Sequence, residues 1–183
     1  NMRNNKGFTL VEVLIIILLL GFLGVAAIGS YVSSTKTFSF LGQYKGIMSS
    51  IRSARSYAIT NKDSEAYRNY GVKVENNKVT LFGDGPDHPF NFGVDDSVIE
   101  IVEWDASDYV LDTVGLSLPT YLYYRVGSGE FFVYSDDILV PKSGPDAKPY
   151  IVLKFTDADE EIERYITVVQ VSGLAEETTT SPD

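Results

Sequence analysis

The stretch "NNKGFTLVEVLIIILLLGFLG", Asn4 to Gly24, decides how the whole chain is read. It is apolar enough for lipid, yet it carries one carboxylate, Glu12, near its start, with Lys6 and Gly7 just ahead of it. From Val13 to Thr35 there are 23 residues without a charge. At about 1.5 Å per residue they make roughly 35 Å of helix, enough to cross a bilayer core of about 30 Å. Arg3 and Lys6 lie on the amino side. By the positive-inside tendency they place that end in the cytoplasm and the remainder outside. A cleaved secretory signal fits poorly, because the apolar run is long and only "AAIGS" approaches a small-residue cleavage site. A plain signal anchor accounts for the run but not for Glu12. An unpaired carboxylate costs about 2.5 kcal/mol or more near the bilayer centre and less toward the interface, so it calls for a partner or a task. A cut after Gly7 would supply one. The new amine on Phe8 would stand four residues before Glu12 on the same helical face, within reach also of a neighbouring subunit's carboxylate.

"KGFTLVE", Lys6 to Glu12, followed by about twenty apolar residues, resembles the prepilin signature of type IV pilins and type II secretion pseudopilins. The resemblance implies a membrane-embedded prepilin peptidase that cuts between Gly7 and Phe8 and methylates the amine of Phe8. It also implies an assembly role for Glu12, which recognises the first residue of an adjacent subunit as it leaves the membrane for a filament. Gly21, Gly24 and Gly29 interrupt the apolar helix at about 1 kcal/mol each relative to alanine. They admit two readings, close packing of membrane helices or partial unwinding on assembly.

Charge divides the chain. Residues 1 to 62 hold seven basic residues against Glu12 alone, a net of +6, while the rest holds eight basic and 24 acidic residues, a net of −16. An acidic domain repels phosphate backbones, which argues against nucleic acid as its partner. Cysteine is absent from the sequence, so neither a disulfide framework nor a thiolate metal site is available. Phe40, Tyr44, Ile47, Ile51, Ala54 and Ala58 recur at helical spacing and form one apolar stripe that runs to about Asn61, with Asn61 and Asp63 as stop signals. Arg52 and Arg55 lie off that stripe, on a solvated or subunit-facing side.

Beyond the helix the pattern becomes one of short strands. "YGVKVENNKVTLFG" alternates around Asn76-Asn77, a hairpin signal. "VIEIVEW" follows, then "TYLYYRV" and "EFFVYS" joined through Gly127-Ser128-Gly129, then "YIVLKF" and "ERYITVVQV" joined through "TDADEEI". The expected fold is α+β and pilin-like, a long N-terminal helix packed on an antiparallel sheet. The expected divisions are a leader over 1–7, a membrane and assembly half of the helix over 8–35, an amphipathic half over 36–62, a β-rich head over 63–175 and an acidic flexible tail over 176–183.

"SARSYAITN" and "ITVVQVSGL" make the arrangement similar to the GspH/FimT-type minor pseudopilins, through the Arg55 and Ala58 spacing and the final strand before Gly173. The basic residue usual after that glycine is Leu174 here. Some members of that group bind DNA through a basic tail, but "LAEETTTSPD" carries Glu176, Glu177 and Asp183 without a lysine or arginine. Asp157, Asp159, Glu160 and Glu161 cluster in a turn and are calcium candidates by their oxygen ligands, though they lack EF-hand spacing. His88 stands alone in a turn-rich segment, and no nucleophile, base and metal set assembles. The Gly83 to Gly85 and Gly127 to Gly129 pairs read as hairpin turns.

The function expected is that of a minor pilin or pseudopilin, a structural subunit without catalysis or cofactor. Its partners are the prepilin peptidase, other pilin subunits and, before assembly, the membrane. Two alternatives stay open, a DNA-uptake minor pilin and a signal-anchored adhesin or sensor that never polymerises.

Overall fold

A threonine three residues ahead of a glutamate starts the helix that organises this fold. In the computed structural model, which describes residues 9–60, 62–87, 89–93, 95–145, 147–159 and 162–180, helix α1 spans Leu10–Ile59. Thr9 Oγ1 accepts from the Glu12 amide at 3.2 Å, and the Thr9 amide donates to Glu12 Oε2 at 3.4 Å. This reciprocal capping box satisfies two donors that a helix start would otherwise leave unpaired. At the other end Gly127 donates its amide to Ala58 O at 2.9 Å, and Asp63 takes a left-handed φ of 47° that turns the chain away. The expected stop at Asp63 is therefore a real bend, while Asn61 lies outside the described residues.

The chain divides into two compact units, up to Ser39 and from Phe40 onward. In the first, the aliphatic and aromatic side chains from Leu10 to Val25 are all exposed. No helix among the described residues is long and apolar enough to cross a membrane.

The second unit sets the C-terminal part of α1 against two antiparallel sheets. Ten strands follow the helix: β1 Asn69–Val74, β2 Lys78–Asp84, β3 Ser97–Glu103, β4 Tyr109–Thr113, β5 Thr120–Arg125, β6 Phe131–Ser135, β7 Ile138–Leu139, β8 Tyr150–Asp157, β9 Glu163–Val169 and β10 Ala175–Thr178. One sheet has the order β3-β2-β1-β5-β6-β7 and the other β10-β9-β8-β4. Two sheets replace the single sheet expected from the sequence. The hairpin around Asn76-Asn77 forms in the register Val74↔Val79, and the two later hairpins pair as β5 with β6 and β8 with β9. Strand β10 pairs with β9 from Ala175 to Thr178, so the sheet takes up residues that the sequence assigned to a flexible tail.

The helix stripe read from spacing is the centre of the core. Phe40, Tyr44, Ile47, Ile51, Ala54 and Ala58 are at most 1% exposed and share one cluster with Val72, Leu81, Leu122 and Val133 of one sheet and Leu111, Leu153, Ile166 and Val168 of the other. Each fully buried side chain of the Ile, Leu or Phe size contributes about 1.5–3 kcal/mol. Two of the buried rings carry their hydroxyls to backbone partners: Tyr44 Oη donates to Tyr165 O and Tyr124 Oη to Gly173 O, each at 3.0 Å. The Gly83 to Gly85 pair is not a hairpin turn. Gly83 lies within β2, where a Cβ would come 2.6 Å from the Tyr67 ring, so its small size admits an aromatic side chain against the strand.

Candidate processing and assembly site

Of the residues expected to form the processing and assembly site, only Glu12 is among the described ones, at the start of α1 beside Thr9. Lys6, Gly7 and Phe8 lie outside the described residues. Glu12 occupies the third position of the first helical turn, the place at which a carboxylate both closes the capping box and meets the positive end of the helix dipole. The box leaves further lone pairs on the Glu12 carboxylate, so an amine from another chain can be accepted without breaking the cap. The Thr-x-x-Glu spacing is itself a sequence signal for this cap, separate from the docking role expected of Glu12.

C-terminal to Glu12 the helix surface has the character that burial against lipid or other helices requires. Phe22, Leu23 and Val25 are between 67% and 74% exposed. A contiguous apolar surface of this kind is a contact surface that seeks a cover. Among the described residues, a Cβ built on Gly21 or Gly24 meets nothing within 4 Å.

The other candidates fall in the head and do not gather at one place. Arg52 donates to Ala175 O at 3.4 Å and Arg55 to Ser172 O at 3.2 Å, so both arginines fasten the helix to the final segment of the chain. Asp157 is 1% exposed, and its Oδ1 accepts from the Ile162 amide at 2.8 Å, which closes the β8–β9 hairpin. Asp159 is exposed, Glu160 and Glu161 lie outside the described residues, and among the described residues no group of three or more His, Cys, Asp or Glu is placed to hold a metal. His88 also lies outside them.

A cavity of about 420 Å³ opens on the head between the segment after α1, the end of β5 and the loop after β2, and Arg68 and Arg125 line it. Its described lining holds no histidine, cysteine or carboxylate, the groups from which acid–base or thiol chemistry is built. Close by, Asp84 is wholly buried at the end of β2, accepts from the Asn69 amide group, and receives the Phe90 amide at 3.2 Å. Burial pushes its carboxyl up from 3.8 to about 6, against the opposing pull of its hydrogen bonds from Asn69 and Phe90. This buried acid was not singled out from the sequence. No local pattern marks it, because its burial depends on the loop that folds back from residue 85 onward.

Comparison with known proteins bears on the N-terminal segment. The prokaryotic N-terminal methylation motif matches residues 2–28, a span that includes Gly7, Phe8 and Glu12. No curated protein and no solved structure matches the chain. The chain thus carries the prepilin-type N-terminal methylation motif, which supports its assignment to the type IV pilin and pseudopilin family.

Proposed function

We propose that this chain is a minor pilin or pseudopilin, a non-catalytic subunit of a type IV pilus or a secretion-type filament. The observation that carries the reading is the methylation motif over residues 2–28. The exposed apolar helix that follows Glu12 supports it. In this reading residues 1–7 are a leader, a prepilin peptidase cuts between Gly7 and Phe8, and the Phe8 amine is methylated. Residues 8–35 hold the subunit in the membrane, with its N-terminus in the cytoplasm and its head outside, until the Glu12 carboxylate docks on the amine of an adjacent subunit. Residues 36–62 carry the β-rich head, which takes in β10 as its last described strand. The resemblance of "SARSYAITN" to the GspH/FimT-type group supports a minor-subunit role in this reading. The acidic balance beyond residue 62 sets it apart from DNA-binding members.

The test is the intact mass of the full chain after co-expression with a prepilin peptidase, with Gly7→Val as control. Loss of residues 1–7 with gain of one methyl group, abolished in the control, is the expected outcome. A second reading, a signal-anchored external domain that never polymerises, is favoured by one observation: Glu12 already has a local partner in Thr9. An uncut leader in both proteins would leave that reading in place.

A further inference from the structure

The two sheets have four outer strands, and the structure treats one of them differently. On β4, Leu111 donates its amide to Asn76 O in the β1–β2 turn at 2.9 Å. On β10, Ala175 O accepts from Arg52 of α1. Strand β7 is two residues long. Strand β3 runs for seven residues, "SVIEIVE", pairs only with β2, and among the described residues its other edge meets no backbone partner. Val98, Ile99 and Ile101 are 54%, 41% and 53% exposed. Of the devices that discourage strand addition, β3 carries two charges, Glu100 and Glu103, and a register shift opposite Leu81 and Phe82, but it is not short and holds no proline or lysine.

We infer that β3 is a strand-addition site for an extended segment of another protein that carries basic residues opposite Glu100 and Glu103. The charges choose the occupant. Glu100 touches Ser50 Oγ of α1 at 3.4 Å, while Lys78, which stands opposite Glu103 on β2, reaches Glu75 instead. Neither Glu100 nor Glu103 has an ion-pair partner among the described residues, and exposed Asp105 and Asp108 extend the negative flank. A second copy of β3 would bring glutamates to face glutamates, which destabilises a cross-strand pair. A strand with two lysines or arginines three positions apart, and a β-branched residue between them against Ile101, meets both carboxylates. It also completes the ladder through its main chain. The inference stands whether or not the chain itself polymerises.

The test uses the full chain in detergent micelles and two synthetic peptides of alternating valine and threonine. One carries two lysines three positions apart and the other carries glutamates there. Hydrogen exchange of the amides over 97–103 is read with and without each. At a peptide concentration about ten times Kd, the lysine peptide is expected to slow that exchange about tenfold while the glutamate peptide leaves it unchanged. The double variant Glu100→Lys, Glu103→Lys is expected to exchange the two preferences. Equal protection by both peptides, or by neither, would overturn the inference. So would protection without peptide that grows with protein concentration, since the occupant would then be a second copy. The comparison of peptides on the unaltered chain decides the matter even where the double variant does not fold.

Discussion

Glu12 combines two properties that substitution can separate, a hydrogen-bond acceptor that closes the first helical turn and a negative charge. Glu12→Gln keeps an acceptor for the Thr9 amide and removes the charge, whereas Glu12→Ala removes both. If the charge docks a neighbouring amine, both variants are processed normally and both stay in the membrane fraction, outside filaments. Their helix starts should nevertheless differ. A lost cap is worth about 1 kcal/mol, so amides of the first turn should exchange roughly fivefold faster in Glu12→Ala than in Glu12→Gln. Thr9→Ala supplies the complementary case. It removes the hydroxyl that accepts the Glu12 amide but keeps the charge, and should therefore still enter filaments. Normal filament entry by Glu12→Gln would sink the docking role and leave Glu12 as a helix cap.

Among the elements, the β6–β7 hairpin shows what local chemistry costs. Ser135 pairs with Ile138, which leaves Asp136 and Asp137 as a two-residue loop with φ values of 50° and 61°. Positive φ at both positions suits the right-handed twist of a hairpin but favours glycine at the second, and a non-glycine residue there costs roughly 1 kcal/mol. Asp137→Gly should raise the stability of the chain by about that amount, measured as a higher urea midpoint at unchanged slope. A lower midpoint would mean that the Asp137 carboxylate has a role the turn does not require.

The same hairpin marks where sequence reading stops. The helix stripe was legible because six apolar positions keep one spacing over nineteen residues, Phe40 to Ala58, and a single buried face explains them all. The hairpin at Asn76-Asn77 was legible because its turn residues and its alternation agree. Strand β7 offers two residues and β10 four polar-rich ones, too few for a period to emerge, so their assignment depends on the neighbours that pair with them. Strand β4 does alternate, with Tyr109, Leu111 and Thr113 inward, but five residues beside an Asp-rich turn resemble a loop until β8 is set against them. The split into two sheets is of the same kind, since it follows from pairings between distant segments and not from any local pattern. At the site, Glu12 stood out by its charge in an apolar run, and its cap with Thr9 was present in the spacing.

At the scale of the whole molecule, the charge imbalance and the buried Asp84 act on stability in the same direction. The chain carries a formal net charge of −10, so protonation of carboxylates as pH falls from neutral relieves self-repulsion. Asp84 adds a specific contribution. Its carboxyl is raised from 3.8 to about 6 by burial, so between those values the folded chain binds a proton that the unfolded chain does not. The stability this gives is fully present below pH 3.8 and is lost as pH rises through about 6. Its size is on the order of 3 kcal/mol. Asp96 is also raised by burial and works in the same sense. Asp105 and Glu163 are lowered by their hydrogen bonds, so their contributions disappear only at more acidic pH, outside the interval from 5 to 8. Urea unfolding of the full chain in detergent, followed by the fluorescence of the single tryptophan, Trp104, should therefore report a more stable fold at pH 5 than at pH 8. Asp84→Asn retains an acceptor for Asn69 and is neutral throughout, so it should flatten most of that slope and stabilise the chain at pH 8. Stability that instead rises from pH 5 to pH 8 in the unaltered chain would mean that Asp84 is held ionised, and that its contacts with Asn69 and the Phe90 amide outweigh its burial.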